Sequence, residues 1–429
     1  MIERVELLQK PKEWFFLFFV FLLLLSFSLL WEYYNYKQLV KFDSALVNAK
    51  VLNQYTKTKT TPSGKTKHYQ ILKLKADDGF TFYTLAKKDL SDIIAKQISL
   101  EIFTGKEGNI SFLDYLKGFF APSKILKIDN SQNLWHLLQN AIASQHQDAN
   151  ITRIYEALYL AKPLPKDLLQ TFSTLGISHL IAISGFHLGV LSFVLLLLLK
   201  YPYKFLQSRY FPYRSFQRDT FILIALALLL YTIFLDAQPS LLRSFVMFVI
   251  GFFLYDRGIK IISMQTLLIT ILVILTLFPR LVFALGFWLS VAGVFYIFLF
   301  LHHFQSKKFL WQFLMLPLFV YLMMLPYSTV IFGNFSLLHP LSTLYTTLFS
   351  LFYPLSIALH LMGMGDLLDG VLLTLIQSAK DSSIWLELPN YLLVGFVFAS
   401  LLAIFSRLFF YLLIVFASLF CVSLIYYAA

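Results

Sequence analysis

The chain is poor in charge and has almost no cysteine. Charged residues make up 14% of its 429 residues, against 58% hydrophobic and 18% aromatic, which excludes an ordinary soluble domain and leaves a polytopic membrane protein. A single cysteine, Cys421, excludes an intrachain disulfide. A nucleotide site is missing too. Gly64-Lys65-Thr66 ends like a phosphate-binding loop, but Lys59 stands where the motif needs its first glycine and no apolar helix follows. Pro62-Ser63-Gly64 reads as a hairpin turn instead. Metal spacing is absent as well: His68, His136, His146, His302, His303, His339 and His360 form no pair of histidines four apart around a glutamate. No cofactor and no metal are expected.

What the chain does have is apolar length and positive charge. The formal net charge of +12 and pI near 9.4 suit a polyanionic partner, nucleic acid or anionic lipid headgroups, although membrane proteins also collect Lys and Arg in cytoplasmic loops. The first apolar run, Trp14 to Trp31, has no small-residue cleavage site after it and reads as a retained signal anchor. Arg4, Lys10 and Lys12 before it place the N-terminus in the cytoplasm. Later basic clusters then alternate with spans. The cytoplasmic markers are Lys204, Arg209, Arg214 and Arg218, then Arg257 and Lys260, then Lys307 and Lys308. The spans between them are Leu180 to Leu199, Phe221 to Leu235, Leu241 to Tyr255, Ile261 to Phe278, Leu281 to Leu301 and Phe309 to Ile331. Asn334 to Leu359 reads as one span or a re-entrant hairpin. The hairpin is favoured, because Phe332 to Glu387 should begin and end outside. Tyr391 to Tyr427 holds two spans hinged at Ser406-Arg407.

The expected fold is an α-helical polytopic membrane protein of about nine or ten membrane helices, at roughly 20 residues per span, with a small all-β OB-like periplasmic domain. Its divisions are a cytoplasmic N-terminus and first helix (1–35), the OB-like domain (36–130), amphipathic interfacial helices (131–175) and a membrane-embedded domain (176–429). In the second, Tyr69 to Lys75, Phe80 to Leu85 and Ile98 to Phe103 alternate as strands, and Lys87 to Lys96 reads as a short helix. This combination suits a five-stranded barrel whose face and loops often hold oligonucleotides. Residues 36–129 hold 16 Lys and Arg against 9 Asp and Glu, a surplus suited to phosphates. Residues 133–169 have a helical period too polar to span. They are expected in the interface plane or packed on the bundle, with Trp135 and Tyr155 at headgroup level.

Polar residues inside a membrane run mark the place to look for function. Gly176 to Val194 reads GISHLIAISGFHLGVLSFV. Ser184 and His187 are three apart and share a helical face, but no carboxylate in the span completes a catalytic set. Catalysis is therefore not expected. His179 and His187 are eight apart, about 12 Å of helix rise, so only a break at Ser184-Gly185 brings both to one site. Gly185 and Gly189 make a small-xxx-small face. Downstream, Pro239 opens a helix with Arg243 about one turn inside it, free to snorkel, to be neutralised by Asp236, or to offer a fork to phosphate.

These segments resemble the competence domain of the ComEC family, inner-membrane proteins that pass transforming DNA into the bacterial cytoplasm. The resemblance rests on Gly176 to Val190, with His179-Leu180, Ala182 to Gly185, His187 and Gly189. It extends to Pro239-Ser240 with Arg243, to Gly286 through Ser290, and to Phe332-Gly333 through Ser336, Leu338 and Pro340. Upstream, Phe112 to Leu116 with Gly118 and Ala121 resembles the close of the family's OB-like domain. Two positions depart from the family pattern, Trp288 for glutamine and Thr343 for asparagine. Many members continue into a metallo-β-lactamase-like domain. Nothing like it occurs in this sequence, so the chain is expected not to degrade the non-transported strand.

The resemblance implies a channel for single-stranded DNA in the bacterial cytoplasmic membrane, lined by His179, Ser184, Gly185, His187, Gly189, Pro239 and Arg243. The partners implied are a periplasmic DNA receptor, cytoplasmic DNA-binding or motor proteins, membrane lipids and a homo-oligomeric copy. The alternative is a proton- or ion-coupled transporter of a small anion, with His179 and His187 titrating near neutral pH.

Overall fold

A computed structural model describes residues 7–60, 66–86, 90–105, 110–129, 131, 133–305, 307–379 and 383–428. Arg4, the Pro62-Ser63-Gly64 turn with Lys65, and the start of the Lys87 to Lys96 helix lie outside the described residues. The chain divides into two compact units. One comprises Lys12–Ala141 and Leu272–Ala284, the other Met1–Pro11, Ile142–Ile271 and Leu285–Ala429.

The first unit begins with helix α1 (Pro11–Leu39), which holds the first apolar run. Strands β1 (Ser44–Thr60), β2 (Thr66–Ala76), β3 (Thr81–Ala86), β4 (Gln97–Phe103), β5 (Phe119–Phe120) and β6 (Ser123–Ile128) follow. They form one sheet in the order β5-β3-β2-β1-β4-β6, antiparallel except where β3 meets β5. Between β5 and β6 the Ala121 N–H donates to Tyr83 O, and the Phe103 N–H donates to Pro122 O. A single segment, Phe119 to Ile128, thus pairs with both edges and joins them, as expected for an OB-type barrel. Alternation supplies the core: Leu72, Leu74, Phe82, Leu100 and Ile102 are fully buried.

The helix of this unit is not where the sequence reading put it. The described part of Lys87 to Lys96 is loop, and helix α2 lies at Phe112–Lys117. Gln54 holds the loop open, its Nε2 donating to Leu90 O and Ser91 O and its Oε1 accepting from the Ile93 N–H. At α2, Ser111 and Asp114 form a capping box that nucleates the turn. The turn Pro279–Phe283 also belongs here. Arg280 Nη2 donates to Glu32 Oε2 at 2.6 Å and to the Tyr115 hydroxyl at 3.0 Å. Burial pushes that hydroxyl up to about 12 against the pull of the guanidinium, so the phenol stays neutral. The ion pair holds Arg280 against the end of α1 that carries Glu32.

Helix α3 (Leu134–Ala143) closes this stretch of the first unit. In the second unit, α4 (Ala149–Leu160), capped by Asp148, leads to α5 (Lys166–Thr174) and the one-turn α6 (Ser178–Ile181). The long helices follow: α7 (Gly185–Tyr210), α8 (Phe216–Phe234), α9 (Pro239–Asp256), α10 (Met264–Leu277), whose residues from Leu272 on belong to the first unit, α11 (Leu285–His303) and α12 (Phe309–Phe332). Then come β7 (Asn334–Ser336), α13 (Ser342–Leu361), α14 (Asp369–Ser378), β8 (Ser383–Trp385), α15 (Asn390–Leu402) and α16 (Arg407–Ala428). Among the described residues eight helices are long and apolar enough to cross a membrane, and α10 and α15 are shorter apolar helices. Side chains such as Leu351, Phe405 and Leu408 point outward, as suits a lipid solvent.

Two expectations need correction here. Asn334 to Leu359 is not a hairpin, because α13 is one unbroken helix of 20 residues. The stretch does return to its start: β7 pairs antiparallel with β8, Phe335 opposite Ile384, after a return made by the short α14. Tyr155 does not stand at headgroup level. It is fully buried, with Ile151, Ile154 and Leu158 around it, so α4 is a packed element of the bundle. An amphipathic period shows that a helix has an apolar face, but not whether lipid or protein covers it.

Candidate functional site

The polar stretch is a broken helix. After α6 the backbone is extended at Ala182 and again at Ser184, and α7 restarts at Gly185. Ser184 caps the restart. Its Oγ accepts from the Phe186 N–H at 3.3 Å, and its own N–H donates to His187 Nδ1 at 3.1 Å. The expected Ser184–His187 contact exists, also with Oγ at 3.1 Å from Nδ1, but it serves the helix end. Because Nδ1 accepts a backbone N–H, the proton of the neutral ring sits on Nε2. That Nε2 is buried with no hydrogen-bond partner among the described residues. The ring stands T-shaped against Tyr353 and Phe349 of α13, with centroids 4.6 and 5.4 Å away.

The start of α9 packs against this restart. Pro239 takes the first helical position and Ser240 Oγ donates to Ile183 O at 2.8 Å, closing the break with a side chain. A Cβ on Gly185 would lie 2.2 Å from Ser244 Oγ, 3.1 Å from Ser244 Cβ and 3.0 Å from Arg243 Nη2. Only a glycine permits that approach. Gly189 is outside this contact: it is exposed, and nothing lies within 4 Å of a Cβ there. The small-xxx-small face is thus used at one end only. His179 lies on α6, in the turn before the break.

Arg243 is 5% exposed and faces inward, so it does not snorkel. Nε donates to Ser290 Oγ at 2.9 Å, Nη2 to Ser244 Oγ at 3.0 Å, and Nη1 reaches Met247 Sδ at 3.8 Å. Ser244 Oγ in turn donates to Ser240 O at 2.8 Å. No carboxylate forms an ion pair with it among the described residues, Asp236 included. A buried guanidinium held only by neutral groups keeps a full charge and spare donors for an anion. The starts of α7 and α9 meet beside it, and the positive ends of the two helix dipoles add to the potential there.

A further polar contact lies at the start of α13. His339 Nε2 is 2.9 Å from Ser173 O, and Asn334 Nδ2 donates to Ser173 Oγ at 3.0 Å. Gly176, at φ +72°, has His339 and Ser342 against it. The two departures from the family pattern have plain surroundings. Thr343 donates to Pro340 O at 3.0 Å, and Trp288 is 42% exposed.

Sequence reasoning missed Ser244 as the neighbour that forces glycine at 185, and it missed a cluster of His146, His360 and Asp369. His146 Nδ1 lies 3.0 Å from Asp369 Oδ1, and its Nε2 lies 3.0 Å from His360 Nε2. No group of three or more His, Cys, Asp or Glu among the described residues is placed to hold a metal ion.

Pairwise contacts thus link four separated stretches of sequence into two junctions. Gly176 meets the segment after Phe332, while Ser184-Gly185 meets Pro239 to Ser244, which meets Ser290. Comparison with curated proteins and with solved structures finds no match. The profile of a family described as competence protein matches residues 161–427, which contain all four stretches. The chain belongs to the competence protein family.

Proposed function

We propose that the chain carries single-stranded DNA across the bacterial cytoplasmic membrane during natural transformation, with its N-terminus in the cytoplasm and the barrel outside. The observation that carries this reading is buried Arg243, unpaired with any described carboxylate where the starts of α7 and α9 meet. Such a fixed positive site suits an extended polyanion, because weak, repeated phosphate contacts let each site release what it binds. Family membership supports the same cargo. Release on the far side and any pulling fall to cytoplasmic partners, since no nucleotide-binding motif is present in the sequence.

The chain on this reading breaks no bond itself. Ser184 Oγ is an accepting cap and His187 Nδ1 accepts a backbone N–H, so the imidazole nitrogen nearest the hydroxyl is not free to act as a base.

The barrel supplies a capture face. Register places Tyr55 opposite Ile71, Lys57 opposite Tyr69 and Lys73 opposite Tyr83. Positions two apart share a face, so Tyr55, Tyr69 and Tyr83 alternate with Lys57, Lys73 and Lys75 on the outside of β1, β2 and β3. Lys73 Nζ lies 5.8 Å over the Tyr83 ring. Burial, then the neighbouring Tyr83 and Tyr69, raise the Tyr55 hydroxyl, so that ring stays neutral. Aromatic rings among lysines are a sequence-tolerant platform for unstacked bases, at about 1–3 kcal/mol per stacked base. Tyr55→Ala, Tyr69→Ala and Tyr83→Ala are each expected to weaken binding of a single-stranded oligonucleotide by the full-length protein about tenfold or more. Lys57→Ala should lower the salt dependence. Fluorescence anisotropy in lipid nanodiscs reads both. Unchanged affinity in the triple tyrosine variant removes this face from the proposal.

A further inference from the structure

The described hydrogen bonds around His146 and His360 leave one place for a proton. His360 Nδ1 lies 2.7 Å from Ser356 O, a carbonyl that can only accept, so Nδ1 carries a hydrogen. His146 Nδ1 faces both oxygens of Asp369 at 3.0 and 3.1 Å, so it too carries a hydrogen when the carboxylate is ionised. Two neutral rings would then turn bare Nε2 lone pairs at each other across 3.0 Å, which is repulsive. One additional positive particle between them resolves the conflict.

We propose that His146 and His360 form a proton-binding site, with one proton held between the two Nε2 atoms and Asp369 as its counter-charge. His146 is then the imidazolium, donating from Nδ1 to Asp369 and from Nε2 to neutral His360. The proton comes from water, and no bond between heavy atoms changes. The spacing favours a proton over a metal. Two imidazole nitrogens on one tetrahedral ion, with bonds of about 2.0–2.1 Å, stand roughly 3.4 Å apart, whereas 3.0 Å is an ordinary N–H···N separation.

The surroundings are built for the pair. The Tyr155 ring of α4 stacks on His146 at 4.6 Å and 8°, and the His146 side chain is fully buried while Asp369 is 18% exposed. Tyr159, also on α4, donates to Ser356 Oγ at 2.8 Å and lies 3.3 Å from His360 Nδ1. From the loop before α4, Gln145 Nε2 donates to His360 O and its Oε1 accepts from the Gly365 N–H. A Cβ on Gly365 would come within 2.9 Å of His360 Nε2, so only glycine leaves room there. The titratable and charged groups meeting the pair are thus Asp369 from α14 and Tyr155 and Tyr159 from α4. The bound proton clasps the end of α13 to α4 and α14. Its loss sets two lone pairs against each other and releases that end.

The site does not depend on what the chain transports, so its test needs no DNA. Solid-state NMR of the full-length protein in lipid, with 15N-labelled histidine, should show both Nδ1 atoms protonated and one hydrogen linking the two Nε2 atoms near neutral pH. His146→Gln and His360→Gln assign the signals. Asp369→Asn, which keeps the shape and removes the counter-charge, should lose the Nε2–Nε2 correlation while the remaining histidine signals stay in place. Two unprotonated Nε2 atoms in the wild-type protein overturn the proposal. So does a stoichiometric metal ion in protein prepared without chelator, or an Asp369→Asn spectrum with the correlation at full strength.

Discussion

Gly185→Leu is expected to abolish DNA entry while the protein still inserts in the membrane at normal level. At this position even a methyl group meets Ser244 Oγ at 2.2 Å. That oxygen is not free to swing away, because it donates to Ser240 O and accepts from Arg243 Nη2. Any side chain at 185 must therefore push α7 off α9 or break the hydrogen bonds that aim the guanidinium. Overpacking of this kind costs about 1–3 kcal/mol for small additions, so Gly185→Ala should lower entry roughly tenfold. Leucine adds three more carbons at the same point. Gly189→Ala is the control: nothing lies near a Cβ there, and its entry should match wild type. Labelled DNA recovered from the cytoplasm, normalised to membrane protein, reads all three. Normal entry in Gly185→Leu removes the α7–α9 junction from the transport path.

The second large effect is at Arg243, where stability and transport should separate. Arg243→Met keeps most of the volume and removes the charge. Replacing a buried charge by an apolar side chain of similar size is often neutral or stabilising, since the desolvation cost disappears with the charge. Unfolding of the Arg243→Met protein in detergent should therefore occur at the wild-type temperature or above it. DNA entry should fall on the order of 100-fold, from the lost phosphate attraction of about 3 kcal/mol that a charge-assisted pair supplies. Arg243→Lys keeps a point charge without the planar fork and should lie between. If Arg243→Met instead unfolds early and transports normally once rescued by low temperature, the arginine is a structural residue and the proposed passage loses its anchor.

Much of this was legible because membrane chemistry leaves few options. Lys and Arg in short loops marked the span ends, and ion pairs such as Arg218 with Asp256 at 2.9 Å tie neighbouring loops together. Ser406-Arg407 marked the hinge between α15 and α16. The break at Ser184-Gly185 was visible because serine beside glycine, in an otherwise apolar run, offers a cap and a close approach together. Contacts distant in sequence were not visible. His146 and His360 are 214 residues apart, the one in a polar stretch and the other near the end of an apolar helix, and neither stretch points to the other. The misplaced barrel helix has a local cause. Lys87 to Lys96 carries a helical composition, but Gln54, from β1, occupies backbone groups of its described part, while the Ser111–Asp114 capping box starts a helix of only six residues. For α4, periodicity gave the apolar face correctly and left its covering undetermined.

The account rests on the passage of DNA, and one measurement addresses it directly: the amount of labelled DNA reaching the cytoplasm in cells lacking this chain and in the same cells with it restored. DNA should accumulate outside the membrane without the chain, and entry should return with the wild-type protein but not with Gly185→Leu or Arg243→Met. Normal entry in cells lacking the chain contradicts the account.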